Sequence, residues 1–122
     1  MKDLTKAEEQ IMQVLWQLEK AFVKELVAEM PDPKPAYNTV STIVRILEEK
    51  GFIAHVAFGK THQYFPKVSK DAYGRHTAGS LLSKYFNGSV KDLVSFFVKE
   101  ERLDSHDLDA ILKSIDTKNE KS

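Results

Sequence analysis

Apolar residues recur along the chain with two different periods, and the changes of period divide it into elements. Ala7, Ile11, Val14, Leu15 and Leu18 step by three and four, the spacing of one buried helix face. Thr5 stands three residues before Glu8, a capping-box pattern, so this helix is expected over Lys6 to Leu18. Val23, Leu26, Val27 and Met30 form a second, shorter stripe that Pro31 stops, because proline disfavours helical geometry in the residue before it. Pro31, Pro33 and Pro35 stiffen a connector. Val40, Ile43, Val44 and Leu47 then define a third helix, expected over Tyr37 to Lys50, with Gly51 as its left-handed cap.

The period shortens after Gly51. Phe52 to Phe58 and Thr61 to Pro66 are β-prone runs around Gly59-Lys60, a hairpin whose first turn residue takes positive φ. Three helices followed by a hairpin is the winged helix-turn-helix order, in which the third helix enters a DNA major groove and the hairpin, or wing, touches the backbone alongside. From Ser69 onward the pattern is helical only. Tyr73, Ala78, Leu81, Leu82, Tyr85 and Phe86 belong to one helix ended by Asn87-Gly88. Ser89 caps a next one with Val90, Leu93, Val94, Phe97 and Val98, and Asp92 suits its first turn. Asp104 or Ser105 caps the last, with Leu108, Ile111, Leu112 and Ile115.

The expected fold is therefore mainly α with a small β wing. A winged helix over residues 1–68 precedes a three-helix dimerisation domain over 69–116, and residues 117–122 read as a disordered tail. Three short amphipathic helices carry more apolar surface than they hide alone, and interlocking with a second copy is the economical solution. Leu93, Phe97, Leu108, Ile111, Leu112 and Ile115 are the expected ridge between subunits.

Charge refines this picture. The chain is neutral, with 18 basic and 18 acidic residues, but the charge is uneven. Residues 1–33 hold four Lys against seven acids, whereas residues 34–70 hold five Lys and one Arg against Glu48 and Glu49. The basic window coincides with the expected third helix and wing, as a nucleic-acid footprint would, although a solvated face carries such charge equally well. Glu8-Glu9, Glu48-Glu49 and Glu100-Glu101 read as solvated helix surface. With no cysteine there is no disulfide, thiolate metal site or thiol nucleophile. No phosphate-cradling glycine loop or His-Glu-x-x-His pattern occurs, so an enzyme is not expected and no cofactor is called for. No apolar run approaches the roughly 20 residues of a membrane span, and the first residues lack an apolar signal region, so a cytoplasmic protein is expected.

On the third helix, Asn38, Thr39, Ser41 and Thr42 lie opposite the apolar stripe and are the candidates for reading base edges. Asn38 suits adenine bidentately, and it suits helix capping as well. Arg45 and, at the wing tip, Lys60 suit phosphates, with Tyr37 as a secondary contact. Thr5, Lys6 and Lys24 mark helix starts where backbone N–H groups receive a phosphate, although for Thr5 capping is the simpler role. Trp16, flanked by Leu15 and Leu18, reads as core. His55 and His62 share a hairpin face if the turn is Gly59-Lys60, and without a carboxylate or thiol they make strand packing rather than a metal site. His76 and His106 stand apart and receive no role.

The sequence resembles the penicillinase repressor family, small dimeric repressors of β-lactamase and methicillin-resistance genes. The resemblance rests on Leu-Thr-Lys-Ala-Glu-Glu-Gln-Ile-Met at 4–12 with Trp16, and on Tyr-Asn-Thr-Val-Ser-Thr-Ile-Val-Arg-Ile-Leu-Glu-Glu-Lys-Gly-Phe-Ile at 37–53. The wing turn Gly59-Lys60 with Tyr64 and Pro66, and Gly-Ser-Val-Lys-Asp-Leu-Val at 88–94, complete it. It implies a winged helix reading a pseudo-palindromic double-stranded DNA operator as a homodimer. It also implies inactivation by cleavage in the dimerisation domain, here near Phe96-Phe97, under a membrane metalloprotease sensor or a protease that it activates. Two other readings stay open on the residues alone: a winged-helix protein-interaction module that does not read DNA, and a regulator switched by a small ligand.

Overall fold

The structure, a computed structural model, describes residues 1–120, and the side chains of residues 1–115. Helix α1 spans Lys6–Leu18, strand β1 Ala21–Phe22, helix α2 Val23–Glu29 and helix α3 Tyr37–Glu49. Strands β2 (Ile53–Phe58) and β3 (Thr61–Pro66) form the wing, and helices α4 (Lys70–Tyr85), α5 (Val90–Lys99) and α6 (Ser105–Glu120) complete the chain. The three wing-side strands make one antiparallel sheet in the order β1-β3-β2. The expected winged helix is thus present, with one addition. Strand β1 was not anticipated: its two residues run straight into α2, and Ala21 and Phe22 become a strand only by pairing with Tyr64 and Gln63.

Local chemistry sets the element ends. The Thr5 hydroxyl accepts from the Glu8 amide at 3.2 Å while Glu8 Oε1 accepts from the Thr5 amide at 2.8 Å, a reciprocal cap worth about 1 kcal/mol. Lys34 Nζ donates to the carbonyls of Ala28 and Met30 at 2.7 and 2.8 Å, satisfying the free end of α2. Gly51, at φ 84°, turns the chain out of α3, and Gly59, at φ 62°, closes the wing with help from Thr61 Oγ1 donating to the Phe58 carbonyl. Ser89 caps α5 by accepting from the Asp92 amide, and Asp104 and Asp107 cap α6 reciprocally.

The chain divides into two compact units, residues 1–77 and 78–122, so the division falls inside α4 rather than at its start. In the first unit Met12, Leu15, Leu26, Val44, Leu47 and Phe52 are buried with Ile53, Tyr64 and Tyr73 around them. The start of α4 belongs to this core. Tyr73 is buried, its hydroxyl accepts from the Leu4 amide at 2.9 Å, and its ring lies 6.2 Å from Trp16 and 5.8 Å from Phe52. Trp16, half-buried against the core as expected, donates its indole N–H to the Val68 carbonyl at 2.9 Å.

Several expectations are corrected here. Ala7 is exposed, and Met12 is buried in its place because α1 packs over a wider arc than one stripe. Glu8 is not solvated surface: only 4 % exposed, it accepts from Lys50 Nζ at 2.8 Å, joining the start of α1 to the end of α3. Burial pushes its carboxyl up, but the Lys50 ammonium and the Thr5 hydrogen bonds outweigh this and hold it below the ordinary carboxylate value. Glu48 is half-buried and bonded to His55. His76 does not stand apart, since its Nε2 lies 2.8 Å from Asp3 Oδ1. Helix α6 continues to Glu120, over the first residues of the expected tail; residues 121 and 122 lie outside the described residues.

The second unit is built differently. Among its described residues none is buried on α5. Leu81, Tyr85, Phe86, Leu93, Phe96 and Phe97 line an apolar cleft of about 420 Å³. Phe96 meets Phe86 edge-on at 5.5 Å and Phe97 at 5.7 Å. Of the expected ridge, Leu93, Phe97 and Leu108 are half-buried, and Ile111, Leu112 and Ile115 are exposed.

Candidate nucleic-acid interface

Helix α3 has two faces of opposite character. Val40, Val44 and Leu47 are buried, and on the other side Asn38, Thr39, Thr42 and Arg45 are exposed, with Ser41 half-buried between. The sequence left Asn38 either a cap or a contact. The cap is Ala36, in extended geometry and with no side-chain hydrogen bond, so Asn38 stands inside the helix and its amide is not spent on capping. Thr42 Oγ1 donates to the Asn38 carbonyl at 2.9 Å, which commits its hydroxyl proton and leaves its methyl and lone pairs for a base edge. Arg45 Nε reaches back to the Ser41 carbonyl at a long 3.4 Å, and the remaining guanidinium N–H groups are available for a phosphate.

Beside the start of α3, a cleft of about 450 Å³ separates it from the wing and from the start of α2. Tyr37, Ser41 and Lys60, three of the sequence-derived candidates, line it together, and Lys24 joins them. Thr5 and Lys6 are exposed but are not among its lining residues. The cleft also holds Phe22, Thr61, His62 and Tyr64, which the sequence reading did not assign to DNA. For His62 and Tyr64 the signal was the two-residue period of the hairpin. With Phe58 opposite Thr61, His55 faces Tyr64 and Ala57 faces His62, so His55, His62 and Tyr64 share one face.

On that face the two imidazoles stack, with ring centres 3.9 Å apart and planes at 4°. Tyr64 meets both rings edge-on at 5.6 and 6.1 Å. His55 Nδ1 pairs with Glu48 Oε2 at 2.7 Å, tying the wing to α3. Burial, with the Glu48 charge next, pushes the Tyr64 hydroxyl above its ordinary value against a smaller opposing effect of Arg45, so it stays a neutral phenol at physiological pH. Among the described residues no group of three or more His, Cys, Asp or Glu is placed to hold a metal. None of the described helices is long and apolar enough to cross a membrane.

A recognition helix with a polar, exposed face, flanked by a short hairpin wing and a cation-edged cleft, defines a winged-helix protein of the DNA-binding class. The chain belongs to the penicillinase repressor family, whose model matches residues 4–117, and as such is a DNA-binding transcriptional repressor. It is 24% identical to the methicillin resistance regulatory protein MecI of Staphylococcus aureus strain N315, over 95% of each chain. It is 22% identical to the penicillinase repressor of Bacillus licheniformis, over 93% of this chain and 89% of that one. The solution structure of the DNA-binding domain of the repressor BlaI superposes with a TM-score of 0.51 at 25% identity, covering 60% of this chain and 94% of that one. The last two of these relatives are repressors.

Proposed function

We propose that the chain represses transcription as a homodimer on a pseudo-palindromic operator, each subunit laying α3 in a major groove and its wing along the adjacent backbone. The observation that carries this reading is α3 itself, whose exposed face offers Asn38, Thr39, Thr42 and Arg45 with the Asn38 amide free of capping duty. Asn38 and Thr42 read bases, with Thr39 and Ser41 beside them; Arg45, Lys60, Tyr37 and Lys6 hold phosphates, and Thr5 adds a contact from its cap. Dimerisation is supported by the second unit, where Ile111, Leu112 and Ile115 lie exposed and Leu93, Phe97 and Leu108 are only half-buried. Relief comes from cutting α5 near Phe96-Phe97. A cut there would divide the helix that carries Leu93 and Phe97 of the proposed ridge, which supports that site as the point of relief.

Selection of sheared genomic DNA by the purified protein, followed by sequencing, tests the reading. One inverted repeat is expected to be enriched, and to be lost with Asn38→Ala or Thr42→Ala. A folded dimer that enriches nothing would instead be a protein-interaction module. A second measurement concerns charge. Lys6, Lys24, Lys60 and Arg45 are the exposed cations assigned to or beside these contacts, so two subunits make about eight charged phosphate contacts and the log-log salt slope should be about −7. A slope distinctly steeper than −8 would require contacts that this surface does not offer.

A further inference from the structure

We infer that one DNA sugar-phosphate seats in the cleft between α2, α3 and the wing, and that His62 is the donor that fixes it, positioned by Glu48 through His55. This rests on the DNA-reading proposal and adds to it a contact on the second wing strand. The first support is availability. Imidazole hydrogen bonds lie in the ring plane, whereas the contact with His55 at 3.9 Å uses only the ring face. Neither nitrogen of His62 has a hydrogen-bond partner among the described residues, and the residue is exposed at the cleft.

The second support is placement. Glu48 holds His55 Nδ1 at 2.7 Å, and His55 in turn lies parallel to His62, so a carboxylate on the recognition helix sets the ring plane of a wing residue. Tyr64 closes the edge of both rings. A stack of this kind restricts the His62 rotamer before DNA arrives, which lowers the entropy cost of the contact.

The third is the chemistry of the walls. Lys24 and Lys60 bring two ammonium groups, and Tyr37 and Ser41 bring hydroxyls, all suited to an anion. Glu25 is the one carboxylate of the lining, and its Oε1 already accepts from the Phe22 amide at 2.9 Å. Apolar walls from Phe22 and Val23 suit the face of a deoxyribose, and about 450 Å³ holds more than a bare ion.

The test uses the full-length protein with the duplex recovered by genomic selection and a scrambled duplex of equal length. His62→Ala and His62→Gln should weaken both duplexes by the same factor, about tenfold per seat, since a phosphate contact carries no sequence information. Asn38→Ala should weaken only the recovered sequence. Neutral methylphosphonates placed one at a time along the duplex should reveal a position that costs the wild type this factor and costs His62→Ala nothing. Glu48→Gln and Glu48→Ala remove the same charge, but only Gln keeps an acceptor for His55, so Ala should bind more weakly than Gln, and equally once His62 is gone. Wild-type affinity in folded His62→Ala, or a methylphosphonate scan with no such position, would overturn the seat. So would displacement of the duplex by free thymidine 5′-monophosphate from the wild type but not from His62→Ala, which would make the seat a free-nucleotide site. Failure of the wild type to bind either duplex would sink the DNA-reading proposal itself.

Discussion

Phe97→Asp is expected to turn the proposed dimer into monomers and to lower operator affinity by roughly two to four orders of magnitude, the avidity that joining two half-site readers supplies. Phe97 lies half-buried on α5 in the apolar cleft of the second unit, next to Phe96 at 5.7 Å. A carboxylate there has no partner within that cleft, and closing a second subunit over it would desolvate the charge, a cost of several kcal/mol. Analytical ultracentrifugation reads the dissociation and a fluorescence titration on the operator reads the affinity. Because Asp at a half-buried site also tests the packing of the unit, Leu112→Asp serves as the companion: Leu112 is 58 % exposed on α6, so nothing within the chain objects to the change. Both variants should keep their helical circular dichroism and sediment as monomers. A Leu112→Asp protein that stays dimeric together with a dimeric Phe97→Asp protein removes these helices from the interface. The same logic explains how proteolysis would release the operator: a cut near Phe96-Phe97 divides α5 and with it the ridge, and each freed head keeps its contacts but loses its tether.

Glu8→Ala is expected to destabilise the first unit by about 3 kcal/mol. One carboxylate oxygen, Oε1, holds both the Thr5 amide and the Lys50 ammonium at 2.8 Å, so a single truncation removes the Glu8 half of the reciprocal cap and the tie of α1 to α3, while the Thr5 hydroxyl still accepts from the amide of residue 8. Lys50 retains access to water at 22 % side-chain exposure, which keeps the loss below that of a fully enclosed pair. A shift of this size lowers the melting temperature of a unit this small by about 10 to 20 °C. The acid dependence follows from the same geometry. The folded state holds the Glu8 carboxyl below its ordinary value of 4.5, so its contribution is complete above that value and disappears as the pH falls through the lowered one. The gap between wild type and Glu8→Gln in urea unfolding should therefore be wide at neutral pH and narrow in acid. A gap that does not change with pH would show that the charge of Glu8 contributes nothing.

What the sequence made legible was local. The Thr5 to Glu8 cap, the stop at Pro31, the positive-φ turn at Gly59 and the Ser89 cap each depend on residues within a few positions, and the helices and hairpin follow from them. Strand β1 was hidden because two residues acquire strand geometry only from a partner some 40 positions away, Ala21 on Tyr64. Glu8 was misread for the same reason: an acid on a helix looks solvated until Lys50, 42 positions later, arrives beside it. The exposed polar face of α3 was legible as the complement of its apolar stripe. That Asn38 leaves the cap to Ala36 was not, because a cap is decided by backbone geometry. The hairpin period predicted that His55 and His62 share a face, but not that Glu48 would reach His55 from α3.

The burial of Tyr73 governs how the reading head is to be cut out for study. A fragment ended at residue 68, where the sequence pattern changes, would discard the ring that packs on Trp16 and Phe52, the hydroxyl that receives the Leu4 amide, and the His76 partner of Asp3. Trp16 would then sit at a solvent-facing scar, and its fluorescence would report the injury as a red shift. Carried on to Thr77, the same fragment retains its whole interior, so the first two turns of the linking helix are, in folding terms, the last piece of the domain that precedes them.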